Sequence, residues 1–254
     1  HSKRRPYPTP HPPRLNSLDA ETEMSHALME TLEPGLLTSV QDMGRYGFQR
    51  FGVPVSGAMD PFSLRASNVL VGNDQDAACL EMTVIGPRIR FLEDTLIAIT
   101  GADLAFAIDG ERMPRWQAIH VGKGSVLTSD VMVDGMRAYL AIDGGIDVPE
   151  VMGSRSTYST SRIGGHRGRP LKVGDVLSAL PSDPSRRHDE RALPEDLEPV
   201  HYGHSHIIRV IVGPQADAFT PGALETLFDS RYSVSNDSDR VGYRLEGPHL
   251  RHEA

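Results

Sequence analysis

Cysteine, long apolar runs and basic charge are all scarce in this chain. Cys79 is the one cysteine among 254 residues, so no internal disulfide can form. With no secretory apolar segment ahead of the folded part, a reducing cytoplasm is the expected location. Within "AACLEMTV", Cys79 reads as a small core residue rather than a nucleophile. No apolar run nears the roughly 18 residues of a membrane span, so no membrane partner is expected. Asp and Glu number 34 against 26 Lys and Arg, a formal charge of −8 that excludes wholesale binding to a phosphate backbone and with it a nucleic-acid partner. Two catalytic signatures are also missing. No G-K-[ST] closes a phosphate loop, and no G-x-S-x-G elbow presents Ser154, Ser156 or Ser159 as an activated nucleophile.

What remains has the punctuation of a mainly β protein. The opening "HSKRRPYPTPHPPR" is proline-rich and basic, so residues 1–30 are expected to be a disordered or appended tail. From Leu36 onward, short runs such as "LLTSV", "RIRFL", "TLIAIT", "AIHVG", "SVLTS" and "RAYLAI" alternate with Gly, Asp and Pro clusters. Strands at this spacing suggest a closed barrel. Asp109-Gly110 suits a two-residue hairpin turn. One helix is expected after Asp60, which caps it, with Pro61 at its first position, Gly72 at its end, and Phe62, Ala66, Val69 and Leu70 facing inward. A second is expected after Thr220 and Pro221, with Leu224, Leu227 and Phe228 inward. The polar, proline-bearing stretch 181–206 reads as a linker between a unit at 31–180 and another beginning at 207, where "IIRVIVGPQ" opens a strand.

Two glycine-arginine stretches stand out. "SVQDMGRYGFQRFGVPVSGAMD" sets Gly44 and Gly57 around Arg45, with Gln41 and Asp42 beside them. Glycines clear an approach to the main chain, arginine offers a forked donor for carboxylate or phosphate, and Asp42 is a potential base or cation ligand. A bend at a barrel rim, with Arg45 paired to Asp42 or Asp60, explains the same residues. In "SRIGGHRGRPLKVGD", Gly164, Gly165 and Gly168 suggest a nest of backbone amides for an anion, flanked by His166 and Arg167, or else a wide hairpin. His201, His204 and His206 are close in sequence but lack an acidic or cysteine ligand and have irregular spacing, so no metal site is expected.

Four blocks carry a resemblance: "PGLLTSVQDMGRYGFQRFGVPVSGAMD", "RAYLAIDGGIDVPEVMGSRSTY", "GGHRGRPLKVGDVL" and "SDRVGYRLEG". In this order they are similar to the biotin-dependent carboxyltransferase, allophanate hydrolase subunit 2 family, over residues 31 to 254. The resemblance implies two cyclophilin-like β-barrels, the second, from 207, incomplete in this sequence. It implies the C-type subunit of an ATP-dependent 5-oxoprolinase, inactive alone and working with a subunit-1-like (B-type, KipI-like) partner and a third subunit in a hetero-oligomer. Gln41, Asp42 and Arg45 would then be catalytic. Gly44, Gly57, Gly164, Gly165, His166, Arg167, Asp239 and Arg240 would bind substrate or an anion. ATP would be used by the complex. Biotin enters only in the alternative of a urea or amide carboxyltransferase, and this chain has no biotin attachment sequence. A regulator antagonising a KipI-like kinase inhibitor is the remaining reading.

Overall fold

The computed structural model describes residues 26–183, 185, 191–194, 197, 205–238, 240 and 242–253. In chain order the elements begin with β1 (Ala27–Glu33), β2 (Leu37–Gln41) and α1 (Pro61–Val71), followed by β3 (Cys79–Thr83), β4 (Arg88–Phe91) and β5 (Thr95–Asp103). Then come β6 (Ala107–Ile108), β7 (Glu111–Arg112), β8 (Ala118–Val121), β9 (Val126–Thr128), β10 (Asp134–Ile142), β11 (Ile146–Asp147) and β12 (Val176–Ala179). The chain closes with α2 (Pro221–Asp229), β13 (Ser233–Val234) and β14 (Leu245–Glu246). No helix among the described residues is long and apolar enough to cross a membrane.

The class is mainly β, as expected, with β1–β12 in two open sheets rather than one closed ladder and β13 paired with β14 in a separate two-stranded sheet. A seven-stranded sheet runs β11-β12-β1-β4-β9-β6-β7, and a five-stranded sheet runs β2-β3-β10-β5-β8. Alternation explains how they stack. Leu80 and Met82, Ile97 and Ile99, and Ala138, Leu140 and Ile142 share one core with Met29, Ile89, Phe91, Leu127 and Leu177 of the larger sheet. The intervening Cys79, Leu96, Ala98, Tyr139 and Ala141 point the other way and meet Leu64, Leu70 and Val71 of α1. The smaller sheet is therefore buried on both faces, which is why β5 reads as an almost unbroken apolar run. Cys79 is fully buried as expected, and burial pushes its thiol up to about 12.

Both open edges of the smaller sheet are covered by irregular chain. Along β8, Gln117 bridges Ala192, the Ala118 amide donates to Arg191 O, and the Leu193 amide donates to Trp116 O. Along β2, the Thr157 amide donates to Val40 O and the Leu171 amide to Thr38 O. Part of the expected linker thus lies against the sheet.

Local signals hold where they rest on backbone chemistry. Asp60 accepts from the amides of Phe62 and Ser63, and Gly72 closes α1 in the left-handed region at φ 85. Asp109 and Gly110, at φ 52 and 89, make the expected reversal between β6 and β7. Four expectations are corrected. Residues 27–30, placed in the tail, belong to β1, which pairs with both β4 and β12 at the middle of its sheet. The inward face of α1 is Ser63, Leu64, Ser67, Asn68, Leu70 and Val71, while Phe62 and Val69 are exposed. Small and amide side chains let the helix lie close to the sheet, and Thr100 Oγ1 donates to Ser63 O at 2.7 Å. "IIRVIVGPQ" forms no ladder, and Ile207 and Ile211 are 97% exposed. A strand needs a partner more than it needs propensity. In α2 only Ala223 is buried; Phe228 is exposed.

Candidate functional site

The first glycine-arginine stretch leaves the end of β2 and loops back to α1. Two backbone bonds close it: the Arg45 amide donates to Val55 O at 2.8 Å and the Ala58 amide to Asp42 O at 2.9 Å. Gly44 and Gly57 face each other across this closure, at φ 95 and 84, and a Cβ on Gly57 would lie 2.9 Å from the Gly44 nitrogen. Their freedom serves the close chain-to-chain approach within the loop.

Gln41, Asp42 and Arg45 come together, but in a seam rather than an open cleft. Asp42 accepts from the Gly44 amide at 2.8 Å, from Ser154 Oγ at 2.7 Å, and from the Arg155 amide and Ser156 Oγ. Three of these bonds fall on Oδ1 and one on Oδ2, so the carboxylate is largely engaged in holding the loop. Gln41 is buried and its amide donates to Ser39 Oγ at 3.0 Å and Thr157 O at 3.3 Å. Arg45, expected to face a cleft, is 0% exposed. Its Nη2 donates to Ser156 O, and Nε to Val151 O at 3.5 Å. Burial pulls its pKa down from the ordinary arginine value, against the opposing charge of Asp42. The trio stitches residues 151–157 to β2, so the structural alternative describes it.

The second stretch lines a cleft of about 460 Å³ that brings Gly164, Gly165, His166 and Arg167 together with Asp147 and Ser178. The expected anion nest is corrected: the Gly165 amide donates to Arg155 O and the Gly168 amide to Gly164 O, both at 2.9 Å. These two amides are therefore not open to a phosphate. Gly164 is required by contact, since a Cβ there would strike Ser156 O and lie 2.6 Å from Arg45 Nη2. His166 Nε2 stands 3.2 Å from Asp175 Oδ1, and burial pulls its pKa below the ordinary value although Asp175 opposes this. Asp175 itself accepts both Arg169 nitrogens, at 2.6 and 2.8 Å, which holds its carboxyl well below the usual range.

A third hollow gathers residues from all four sequence blocks. This cleft of about 670 Å³ is lined by Gly57 and Met59 from the first, Arg137 and Tyr158 from the second, Pro170 from the third, and Arg240 and Tyr243 from the last. Beneath it lies Glu81, 1% exposed, at the centre of a polar row crossing the small sheet: Ser39 pairs with Glu81, Glu81 with Tyr139, and Tyr139 with Thr100. Glu81 Oε2 accepts from Tyr139 Oη at 2.8 Å and the Met59 amide at 2.9 Å, while Oε1 accepts from Arg240 Nη1 at 2.6 Å. Arg240 Nη2 reaches Gly57 O, and its Nε is buried without a hydrogen-bond partner among the described residues. Burial and the neighbouring Glu81 charge push the Tyr139 hydroxyl far up, so it stays a donor. Glu81 and Arg137 were not singled out from the sequence; an acidic residue inside the buried strand "CLEMT" was the available signal. Asp239, His201 and His204 lie outside the described residues.

Stacked open sheets, a single covering helix and a polar cleft assembled from distant loops define a β domain that presents a surface for chemistry without a phosphate loop. The chain belongs to the carboxyltransferase domain family (subdomain A and B), which matches residues 51–254. Urea amidolyase of Saccharomyces cerevisiae is 41% identical over 87% of this chain, which spans 12% of that protein. The C-type subunit of the Escherichia coli 5-oxoprolinase is 37% identical over 88% of this chain and 70% of its own length. Among solved structures, the Kluyveromyces lactis urea amidolyase is similar with a TM-score of 0.80 at 37% identity, covering 91% of this chain and 14% of that one. TTHA0988 gives 0.76 at 33% identity, covering 88% and 79%. The urea amidolyase and 5-oxoprolinase relatives are named as an enzyme and an enzyme subunit.

Proposed function

We propose that the chain acts as the C-type component of an ATP-dependent 5-oxoprolinase, supplying one wall of a site that a subunit-1-like partner and a third subunit complete. The observation that carries this reading is the 670 Å³ cleft, on which all four blocks converge. Its wall offers cationic and hydroxyl donors, suited to the carbonyl and carboxylate of a lactam, and among its described lining residues no histidine stands by to activate a serine as a nucleophile. A site divided between chains accounts for that combination. This chain's residues would bind and orient the lactam. ATP, consumed by the complex, would be held on the partner side, a placement supported by the engaged Gly165 and Gly168 amides and by the lack of a G-K-[ST] loop in this sequence. The likeness to a stand-alone C-type subunit, along 70% of that protein's length, supports the choice. The complex is expected in the cytoplasm.

The second reading, a urea carboxyltransferase with biotin carried by another chain, is favoured by the 41% identity to a urea amidolyase. One experiment separates them. The chain is mixed with its subunit-1-like partner and the third subunit, and ATP-dependent glutamate release from 5-oxoproline is measured beside ATP- and biotin-dependent urea carboxylation. Glutamate release by the complete mixture and by no single chain supports the proposal; urea carboxylation alone replaces it.

A further inference from the structure

We infer that the cleft holds its ligand by a single carboxylate and that Arg137 is the residue that receives it. This rests on the 5-oxoprolinase reading for the identity of the ligand but on charge alone for its class. Among the described residues that line the cleft, two side chains are charged, Arg137 and Arg240, both cationic. Both turn to the same acid, yet unequally. Arg240 holds Glu81 Oε1 at 2.6 Å, whereas Arg137 Nη1 stands 3.6 Å from that oxygen and donates instead to Thr83 Oγ1 at 2.6 Å. Oε2 is already occupied by Tyr139 Oη and the Met59 amide. Glu81 therefore neutralises one guanidinium, and one positive charge is left over.

That charge belongs to Arg137. Its side chain is 16% exposed, so water solvates it poorly, and no hydrogen bond to a described residue engages its Nε or Nη2. A poorly solvated cation whose nearest acid, Glu81 Oε1 at 3.6 Å, is shared with Arg240 favours an incoming anion, and a guanidinium held at one end presents its remaining fork to a planar carboxylate. Thr83 fixes the fork's direction. Arg240, with two nitrogens committed to Glu81 and Gly57, acts as a positioning residue. Around the fork, Leu37, Pro54, Val55, Met59 and Met136 make an apolar wall for an uncharged ligand body. A cleft of this size lies in the range for small-molecule sites. The neutral amide of urea would leave the Arg137 charge unanswered, while the carboxylate beside a lactam ring would answer it.

The test uses the chain assembled with its subunit-1-like partner, titrated calorimetrically with 5-oxoproline, with 2-pyrrolidinone, which is the same lactam without the carboxylate, and with inorganic phosphate. 5-Oxoproline should bind at least about tenfold more tightly than 2-pyrrolidinone, and Arg137→Gln should abolish the preference. Arg137→Lys, which keeps the charge and loses the fork, should retain part of it; Thr83→Val tests the same alignment should Arg137→Gln fail to fold. Equal binding of the two lactams, no binding of either, a preference that survives Arg137→Gln, or tighter binding of phosphate overturns the inference. Turnover of 5-oxoproline with a preference indifferent to Arg137 overturns the inference and leaves the function standing. Arg137-dependent carboxylate binding without turnover does the reverse.

Discussion

Glu81 and Arg240 stand 159 residues apart in the chain and form a 2.6 Å ion pair in which the acid is almost wholly buried. The acid comes from the middle of the small sheet and the arginine from the C-terminal segment. Through this contact, and the bond from Arg240 to Gly57 O, the segment is held over the glycine-rich loop. Neither residue alone marks a site. Together they set the floor of the cleft.

Arg240→Met should therefore release the C-terminal segment while sparing the sheet. In hydrogen exchange, amides between 219 and 238 should open about tenfold faster, with β3, β5 and β10 keeping their protection. Unchanged exchange in that segment would show that Arg240 does not hold it.

Asp42 and Arg45 are expected to matter for folding. Asp42→Ala strands donors from Gly44, Ser154, Arg155 and Ser156, and should cost about 3 kcal/mol by urea denaturation. Arg45→Met should cost a similar amount, because it leaves the buried Ser156 carbonyl short of its donor and Asp42 without the nearby charge. A complex in which Arg45→Met loses activity but melts normally would return Arg45 to the substrate.

Gly164→Ala and Gly124→Ala form a controlled pair, since both glycines have positive φ, 64 and 90. At Gly124 a Cβ meets open space, so only the backbone penalty of about 1 kcal/mol applies. At Gly164 it meets Ser156 O and Arg45 Nη2, so the loss should exceed that of Gly124→Ala by about 2 kcal/mol or more. Equal melting temperatures for the two variants would refute the contact.

Acid should weaken the fold in two stages. His166 has its pKa depressed by burial, so the unfolded chain binds its proton more readily, and stability begins to fall as pH drops through about 6.5. Asp175, depressed chiefly by Arg169, contributes in full above the ordinary value of about 4 and loses that contribution as pH falls below it. In denaturation series at pH 7, 5 and 3, His166→Phe should flatten the first stage and Asp175→Asn the second. Parallel curves for wild type and both variants would rule this out.

The parts of the fold legible in the sequence are those set by backbone chemistry within a few residues. The Asp60-Pro61 start of α1, its Gly72 stop and the Asp109-Gly110 turn are of this kind. The face of α1 was not legible, because Ser63, Ser67 and Asn68 are buried by close approach to the sheet, which hydrophobicity does not report. The sites divided in the same way. Gly57 and Arg240 were found through their blocks, but Glu81 and Arg137 acquire meaning only from the register that sets β3 beside β10. Arg45 and Asp42 looked like ligand chemistry because a buried hub and an open site use the same residue types.

The covering of both edges of the small sheet bears on how another protein can join this one. An exposed edge strand is a template on which a foreign strand can add, and chains that assemble this way risk uncontrolled polymerisation. Here the segment around Ala192 takes the outer bonds of β8, and Thr157 and Leu171 take those of β2. The larger sheet ends in β11 and β7, each two residues long, too short to template much pairing. Recruitment by β-augmentation is thus closed off among the described strands of these two sheets, so any protein that joins them has to dock through side chains and loop tips.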